Sequence, residues 1–577
     1  MSEEKKLTGY PSIDKPWLKY YSEEAINAEI PECSAYDYIY NVNKEHYDKS
    51  ALDYFGKHIT FREMFQKIEQ CAQALKAYGV KEGDVISVSL PNIPEAVYLF
   101  YAISKIGAVA NMIDPRTSKE CIESYVNETN SKLLFVIDII KSKVADFANT
   151  TCVENIILVS AENSLPWYLH IIFKIKKGVP KSSNEAHFMN WKLFLNKTSD
   201  KYGVRQQIRN ISDLPVMIVH TGGTTGSPKG VMLSNKNINA IPFQSMQFPT
   251  DLQSCHKWLD IMPPFIAYGI GSGLHFPLAV GMEVILIPKF KPEEFDRMIL
   301  KYKPNHISGV PSHWHNIIHS KKLKNKDLSF LITCAVGGDS MNVELEREAN
   351  IFLKQHNCNY SIVKGYGMTE VNGSIGRTLN ENNPVGSVGI PFAHSSIKIC
   401  NPESREELSY NQIGEIYMTG PSIMIGYYDN PAETKLTKIK DENNIEWIRS
   451  GDLGYMTEEG NIFIEDRIKR MIIRHDGFKI FPSMIENTII KGNEVTACCA
   501  VGAPDKTHSQ GKIPIVFVVA NSNDYELMKK KLFNLCKKEL PEYALPCTFV
   551  FVNALPLTPI GKVDYKALEK QAKEIAY

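Results

Sequence analysis

The stretch VMIVHTGGTTGSPKGVML, residues 216–233, decides how the rest of this chain is interpreted. Its first residues are apolar and predict a short buried strand, which a loop rich in glycine and threonine follows. Glycines let backbone N–H groups converge on an anion, while hydroxyls and a lysine add further donors. We therefore predict a polyphosphate-binding loop with the candidate residues Thr221, Gly222, Gly223, Thr224, Thr225, Gly226 and Lys229.

The spacing of this loop differs from that of a P-loop nucleotide site. Ser227 and Pro228 stand before Lys229, so the pattern of a glycine, four residues, a second glycine and then lysine is not met. A glycine- and threonine-rich surface turn is the alternative interpretation.

The segments on either side alternate between helix and strand patterns. Thr60 and Glu63 predict a capping box, and an apolar helical spacing follows it. Strand patterns at 85–88, 133–137, 216–219, 283–287 and 307–310 are separated by helical ones, which indicates parallel βαβ layers. Short strands and frequent glycines over 385–465 predict a β-rich subdomain, and a smaller α/β unit follows from about residue 470.

Composition excludes several classes of protein. The chain has 577 residues, 44% of them hydrophobic, and its 65 Lys and Arg balance its 65 Asp and Glu. Neither a dedicated nucleic-acid binder nor a disordered chain has this balance, so we expect no nucleic-acid partner. The 12 cysteines are scattered without a Cys-x-x-Cys pair, and the N-terminus shows no apolar signal region. These features predict a cytoplasmic protein.

One segment departs from this pattern. Residues 165–177 read LPWYLHIIFKIKK, with aromatic and apolar side chains beside lysines. The pattern could serve peripheral membrane contact, and a buried helix or strand followed by a solvated turn is the alternative.

Four further motifs follow the loop in a fixed order. They are GYGMTE at 365–370, RSGD at 449–452, the stretch from Asp466-Arg467 to Gly477-Phe478-Lys479, and PLTPIGK at 556–562. This ordered set resembles the adenylate-forming superfamily, which includes acyl-CoA synthetases, non-ribosomal peptide adenylation domains and luciferases. The resemblance implies a large N-terminal domain, 1–466, with the ATP and acyl sites. A small mobile α/β lid, 467–577, would carry the catalytic lysine.

The resemblance also implies the nucleotide site. Tyr366 would stack on adenine, with the loop at Gly338 and Asp339 as the other wall, and Asp452 would accept from the ribose hydroxyls. A carboxylate beside a triphosphate is favourable only with a metal, so Glu370, with Thr221, is expected to hold Mg²⁺. The remaining nucleotide-binding candidates are Gly365, Gly367, Met368, Thr369, Arg467 and Lys562.

Lys562 is the predicted catalytic residue, together with Thr369 and Glu370. A positioned ammonium stabilises the charge that develops when a carboxylate attacks the α-phosphate. The family's reaction has two halves, so the expected cofactors are ATP, Mg²⁺ and coenzyme A. Gly477 and Phe478 would line the tunnel for the thiol.

Two positions depart from the family's pattern. The hinge residue is commonly Asp or Lys, but Arg470 stands there, with one extra residue before Gly477. Ile266 stands where relatives often carry His, and where amino-acid-activating relatives carry an Asp. Because isoleucine cannot pair with an ammonium, an α-amino acid substrate is disfavoured.

The acyl pocket is predicted from five residues: Ile266, Tyr268, Gly269, Val310 and Gly337. The small residues over 269–273 leave room for a medium or long acyl chain, and close backbone packing is the alternative.

The leading functional hypothesis is an acid–thiol ligase that makes acyl-CoA from a small-molecule carboxylic acid. The alternatives are an acyl-AMP ligase that loads a carrier protein in trans, and a catalytically silent acyl- or nucleotide-binding protein. The sequence leaves the identity of the acid and the oligomeric state open.

Overall fold

The structure is a computed structural model. It describes residues 7–170, 187–197, 211–221, 228–379, 383–492, 494–508, 510–521, 524–558 and 562–576.

The strands of the described chain are, in order, β1 Ser50–Tyr54, β2 Lys57–Thr60, β3 Val85–Ser89, β4 Val109–Met112, β5 Leu133–Ile137, β6 Asn155–Val159, β7 Phe188–Asn190, β8 Pro215–His220, β9 Gly230–Ser234, β10 Lys257–Asp260, β11 Glu283–Leu286, β12 His306–Gly309, β13 Thr333–Val336, β14 Ile362–Tyr366, β15 Gly376–Arg377, β16 Ile390–Pro391, β17 Ser396–Cys400, β18 Gly414–Thr419, β19 Gly426–Tyr427, β20 Lys438–Lys440, β21 Glu446–Met456, β22 Ile462–Arg467, β23 Ile472–Ile473, β24 Lys479–Ile480, β25 Val495–Pro504, β26 Lys512–Ala520 and β27 Thr548–Phe551.

The α-helices of the described chain are α1 Pro11–Asp14, α2 Glu23–Asn27, α3 Ala35–Asn43, α4 Phe61–Ala77, α5 Pro94–Lys105, α6 Lys119–Glu128, α7 Phe147–Thr150, α8 Trp191–Asn196, α9 Asn235–Met246, α10 Phe276–Val280, α11 Phe295–Tyr302, α12 Pro311–Ile318, α13 Val343–Gln355, α14 Pro431–Thr437, α15 Pro482–Ile489, α16 Tyr525–Glu539 and α17 Tyr565–Ala576.

Two large sheets confirm the predicted α/β layers. One has the strand order β19-β9-β8-β4-β3-β5-β6-β7 and the other β16-β15-β14-β13-β12-β10-β11-β1-β2. The strands β4, β3, β5 and β6 pair in parallel, as do β11, β10, β12, β13 and β14. Parallel strands need crossover connections, and helices such as α5, which lies between β3 and β4, supply them. The capping box at the start of α4 is confirmed, because Glu63 N–H donates to Thr60 Oγ1 and Thr60 N–H donates to Glu63 Oε2.

The C-terminal third confirms the predicted change of pattern. The strands β17, β18, β21 and β20 form an antiparallel sheet, to which β22 adds by pairing with β21. From Ile472 onward, the hairpin β23–β24 and the sheet β25-β26-β27 pack with α15, α16 and α17. Hydrophobic clusters of their own fill this smaller part. The division at residue 466 stays a prediction.

The predicted surface segment 165–177 lies only partly within the described residues, which stop at 170. Leu165 is buried, but Trp167 is 76% exposed and Tyr168 is 47% exposed. At these two positions the alternative of a buried helix or strand does not hold. None of the described helices combines the length and the hydropathy that a membrane crossing requires.

Candidate active site

The second nucleotide motif lies where a central strand ends. Tyr366 is the last residue of β14, and a single 3₁₀ turn, Thr369–Val371, follows it. Gly367 is required by close packing, since a Cβ there would lie 2.5 Å from the carbonyl oxygen of Gly373. The strand therefore delivers Tyr366 and Glu370 to the carboxyl edge of the sheet, where parallel α/β sheets bind ligands.

Asp452 is the centre of a polar cluster between the two parts of the chain. The Tyr366 hydroxyl donates to Asp452 Oδ2 over 2.9 Å, and Arg467 Nε lies 2.8 Å from Oδ1. Register explains the second contact, since Asp452 of β21 pairs with Arg467 of β22. Burial raises the pKa of Asp452 and the pKa of Tyr366, while the Asp452 charge raises the pKa of Arg467. Each carboxylate oxygen keeps a second acceptor position, which suits a ribose hydroxyl.

Lys562 lies in the same cluster. Its Cε is 3.9 Å from the position that a Cβ would take at Gly338, a residue with a left-handed φ of +82°. Burial lowers the pKa of Lys562, and the charge of Arg467 acts in the same direction. The carboxylates of Asp339 and Asp452 oppose that shift. The ammonium thus lies in electrostatic range of the groups predicted to bind the nucleotide.

Glu370 is a buried carboxylate, and one of its two oxygens accepts a hydrogen bond from the protein. Its Oε1 accepts from the Tyr427 hydroxyl at 2.7 Å, and its backbone oxygen accepts from Met424 N–H at 2.8 Å. Burial, together with the Glu370 charge, raises the pKa of Tyr427. Oε2 makes no hydrogen bond with the described residues. A fixed carboxylate with a free oxygen fits a divalent cation that prefers oxygen ligands.

The polyphosphate loop is described only at its ends, since residues 222–227 lie outside the described residues. Thr221 N–H donates to the carbonyl of Lys229, and Lys229 N–H donates to Thr221 Oγ1. Thr221 directly follows β8 and Lys229 directly precedes β9, and these two strands pair antiparallel. The Lys229 ammonium pairs with Glu433 and lies 4.8 Å from the centre of the Tyr427 ring.

The predicted acyl-site residues approach the nucleotide cluster through Gly337 and Gly338. Tyr268 Cζ is 3.6 Å from the position of a Cβ at Gly337, and Val310 Cγ1 is 3.5 Å from the position of a Cβ at Gly338. Burial raises the pKa of Tyr268 to about 12. Ile266 is partly buried and packs on the main core.

The glycines at 269–273 belong to a π-helical segment, Gly269–His275. A Cβ at Gly269 would meet the Pro263 carbonyl, one at Gly271 the Asn372 amide, and one at Gly273 Asp260 Oδ1 at 2.8 Å. The structure thus favours the alternative of close packing over an open pocket at these positions.

Arg470, at the predicted hinge, connects β22 to the small C-terminal part. Its guanidinium lies 2.5 Å from Glu486, 3.6 Å from Asp466 and 4.1 Å from the Tyr565 ring centre. These acidic partners raise its pKa although burial alone would lower it.

The predicted thiol-tunnel residues lie on a turn between β23 and β24. Gly477 has a φ of +84°, with open space at its Cβ position, and Phe478 is half exposed and stacks on Tyr543 at 4.7 Å. Tyr543, on which Phe478 stacks, also belongs to the C-terminal part.

The sequence did not identify Tyr427 and Glu433 as site residues. They lie far along the chain from the residues they contact, on β19 and α14, and no short motif marks them. The pairing of β19 with β9 brings both beside Lys229.

Comparisons with known proteins agree with this geometry. The family model of the AMP-binding enzyme matches residues 40–428, and that of the AMP-binding enzyme C-terminal domain matches 484–562. A long-chain-fatty-acid–CoA ligase of Bacillus subtilis (strain 168) is 27% identical over 572 residues, covering 97% of this chain and 98% of that protein. The 4-coumarate–CoA ligase 1 of Arabidopsis thaliana is 28% identical over 545 residues, covering 93% and 92%.

Among solved structures, the o-succinylbenzoate coenzyme A synthetase of Bacillus subtilis, in complex with ATP and magnesium ion, matches with a TM-score of 0.74 at 22% identity. The match covers 92% of this chain and 98% of that one.

These matches and the residues at the carboxyl edge of β14 define the class of protein. The chain belongs to the AMP-binding enzyme family, within the adenylate-forming acyl- and aryl-CoA ligase superfamily. The resemblance stated from the motifs is confirmed.

Proposed function

We propose that this protein is an ATP-dependent acid–thiol ligase that converts a carboxylic acid to its coenzyme A thioester through an acyl-adenylate. The observation that carries the proposal is the cluster of Asp452, Arg467, Tyr366 and Lys562 at the edge of β14. A polyphosphate substrate would meet donors and cations there, and a ribose would meet Asp452.

In the first half-reaction, a carboxylate oxygen of the acid attacks the α-phosphorus of ATP. The new O–P bond forms as the bond from the α-phosphorus to the bridging oxygen breaks, and pyrophosphate leaves. Lys562 stabilises the charge that develops on the phosphoryl oxygens. Asp452 orients the ribose, and the charge of Arg467 opposes the rise in the pKa of Asp452 that burial causes.

We propose that Glu370 and Thr221 would hold a magnesium ion. The Tyr427 hydroxyl fixes Glu370 and leaves one of its oxygens for a cation. A bound Mg²⁺ neutralises the phosphate charge.

In the second half-reaction, the thiol loses its proton to solvent and its sulfur attacks the acyl carbonyl carbon, the bond to the adenylate oxygen breaks, and AMP leaves. We propose that the small part, 467–577, turns about Arg470 between the two steps, withdrawing Lys562 and bringing Gly477 and Phe478 to the acyl-adenylate. The exposure of Phe478 supports a role that requires a new contact.

The proposed substrate is a medium- or long-chain carboxylic acid rather than an α-amino acid, because Ile266 offers no partner to an ammonium. The fatty-acid ligase relative supports the acyl class, whereas the 4-coumarate ligase relative makes an aromatic acid the competing candidate. Because the glycines at 269–273 are closely packed, the depth of the acyl pocket depends on Tyr268, Val310 and the residues behind them.

A panel of carboxylic acids of graded length and aromaticity, assayed for AMP release with and without coenzyme A, tests the proposal. We expect acid-dependent AMP release that coenzyme A accelerates, with formation of the thioester. Thioester formation only on the phosphopantetheine of a carrier protein would favour the carrier-loading alternative. A failure of every acid and acceptor would leave only the silent binding protein.

A further inference from the structure

Three side chains that the proposed reaction does not use come together in the C-terminal part. His475 lies in the turn between β23 and β24, whereas Asp505 and His508 follow β25. His508 Nδ1 lies 2.8 Å from Asp505 Oδ2, and His475 Nδ1 lies 3.4 Å from the same oxygen. One nitrogen or oxygen atom from each of the three side chains lies within 4.8 Å of the other two.

The side-chain orientations direct these atoms to a common point. The rings of His475 and His508 stack with their centres 3.3 Å apart and their planes 5° from parallel. The other carboxylate oxygen, Asp505 Oδ1, accepts from the N–H of Thr507 at 2.9 Å and from its hydroxyl at 2.7 Å. Because these bonds fix the carboxylate, Oδ2 faces both imidazoles, and the Thr507 hydroxyl also lies 2.9 Å from His508 Nδ1.

Backbone contacts hold the two chain segments together. A Cβ at Gly511, where φ is +97°, would lie 2.3 Å from the backbone nitrogen of His475, so only glycine permits this approach. Asp505 N–H donates to the Gly511 carbonyl at 3.1 Å. The Asp505 side chain is 6% exposed, but that of His508 is 44% exposed, so an ion and a water molecule can reach the cluster.

The spacing and the donor types fit a zinc-like ion. Tetrahedral zinc, with bonds to nitrogen of about 2.0–2.1 Å, places neighbouring ligand atoms about 3.3 Å apart. The separations of 2.8 and 3.4 Å from Asp505 Oδ2 lie on either side of this value. Two imidazoles with one carboxylate suit zinc and its neighbours among the transition metals, whereas Mg²⁺ prefers oxygen ligands.

We propose that His475, Asp505 and His508 form a binding site for a divalent zinc-type ion, whose coordination water completes. Such an ion would join the turn that carries Gly477 and Phe478 to the connection between β25 and β26. The site is independent of the proposed ligase function, since none of its three ligands takes part in either half-reaction.

Titration of the full-length, chelator-treated protein with Co²⁺, followed by displacement with Zn²⁺, tests the inference. Excess Mg²⁺ is present throughout to occupy oxygen-rich sites such as that at Glu370. We expect a single equivalent of Co²⁺ with an absorption spectrum typical of nitrogen and oxygen ligands. His508→Gln, at an exposed ring, should weaken binding by more than about 100-fold, because loss of an outer-shell partner alone costs about 10- to 100-fold.

His315→Gln is the matched control and should leave Co²⁺ binding unchanged. His315 belongs to another pair of neighbouring histidines, with its ring centre 4.4 Å from that of His319. In a second measurement, Zn²⁺ should raise the urea midpoint of the wild type but not that of His508→Gln, because binding to the folded state stabilises it.

Three results would overturn the inference. They are the absence of Co²⁺ binding to the wild-type protein, equal affinity in a folded His508→Gln protein, and a thiolate-to-cobalt charge-transfer band, which would assign the ion to cysteines. The first and third are measured on the wild type and do not depend on whether a variant folds. None of them bears on the ligase function, which the panel of acids tests separately.

Discussion

The proposed nucleotide end and the proposed acid end of the site are built in different ways. At the nucleotide end, charges meet partners within the protein: Asp452 contacts Tyr366 and Arg467, and Glu370 contacts Tyr427. At the proposed acid end, Tyr268 lies against Gly337, and Val310 lies against Gly338. The comparison teaches that charged and hydrogen-bonded pairs within the protein prearrange the proposed nucleotide end, whereas the contacts described at the proposed acid end are close packing.

The largest expected effect is at Lys562. Lys562→Ala should lower the rate of adenylate formation by about 10²- to 10³-fold, because a positioned donor to the developing charge is lost. Pyrophosphate release in a single turnover measures this step.

Lys570→Ala, at an exposed lysine of α17, is the control for the loss of a nearby positive charge. Thioester formation from a supplied acyl-adenylate should stay near the wild-type rate in Lys562→Ala. A normal rate of adenylate formation in this variant would show that another group stabilises the transition state.

Asp452→Asn should come next in size. The substitution keeps the shape but removes the charge that pairs with Arg467, so we expect KM for ATP to rise about 10- to 100-fold. If KM for ATP stays constant while KM for the acid rises, the two ends of the site have been assigned the wrong way round.

The pH dependence of adenylate formation should report on Lys562. Because burial lowers the pKa of this ammonium from its ordinary value of 10.5, its charge is lost at a lower pH than that of a solvated lysine. The rate should therefore fall on the alkaline side before pH 10.5 is reached. In Lys562→Arg the fall should move to higher pH, since a guanidinium stays charged. If the rate falls at the same alkaline pH in both enzymes, a group other than residue 562 causes the fall.

A smaller effect is expected at the hinge. Arg470→Ala and Glu486→Gln remove the two sides of a half-buried ion pair, and their double-mutant cycle should give a coupling free energy of about 0.5–3 kcal/mol in urea unfolding. Glu458→Gln, at an exposed glutamate, is the control. Additive effects of Arg470→Ala and Glu486→Gln would mean that the two side chains do not stabilise the protein through their contact.

The smallest effect concerns the proposed membrane contact. Replacing both exposed aromatics, Trp167→Ala with Tyr168→Ala, should weaken co-sedimentation with vesicles that contain anionic lipid. Tyr10→Ala, also at an exposed aromatic, should not. Equal sedimentation of wild type and the double variant would remove the reason for proposing membrane contact.

The fold could be predicted from the sequence because it depends on local patterns, and the prediction of the nucleotide-binding residues rests on short motifs in the same way. The capping box at Thr60 and the strand at Val85 are encoded within a few residues, and the motif residues Tyr366, Asp452 and Lys562 interact in the structure.

The acid end could not be predicted in this way. Close packing of Gly269 depends on the Pro263 carbonyl, and close packing of Gly271 depends on Asn372, which lies far along the chain. Tyr427 and Glu433 were missed for the same reason, since pairing of β19 with β9 brings them to Lys229.

The most direct measurement is acid-dependent exchange of label between pyrophosphate and ATP, in the absence of coenzyme A. The account predicts exchange with an accepted acid, none without acid, and its near-complete loss in Lys562→Ala. If thioesters form but no exchange occurs with the same acid, the reaction does not pass through a reversibly formed acyl-adenylate, and the central claim is contradicted.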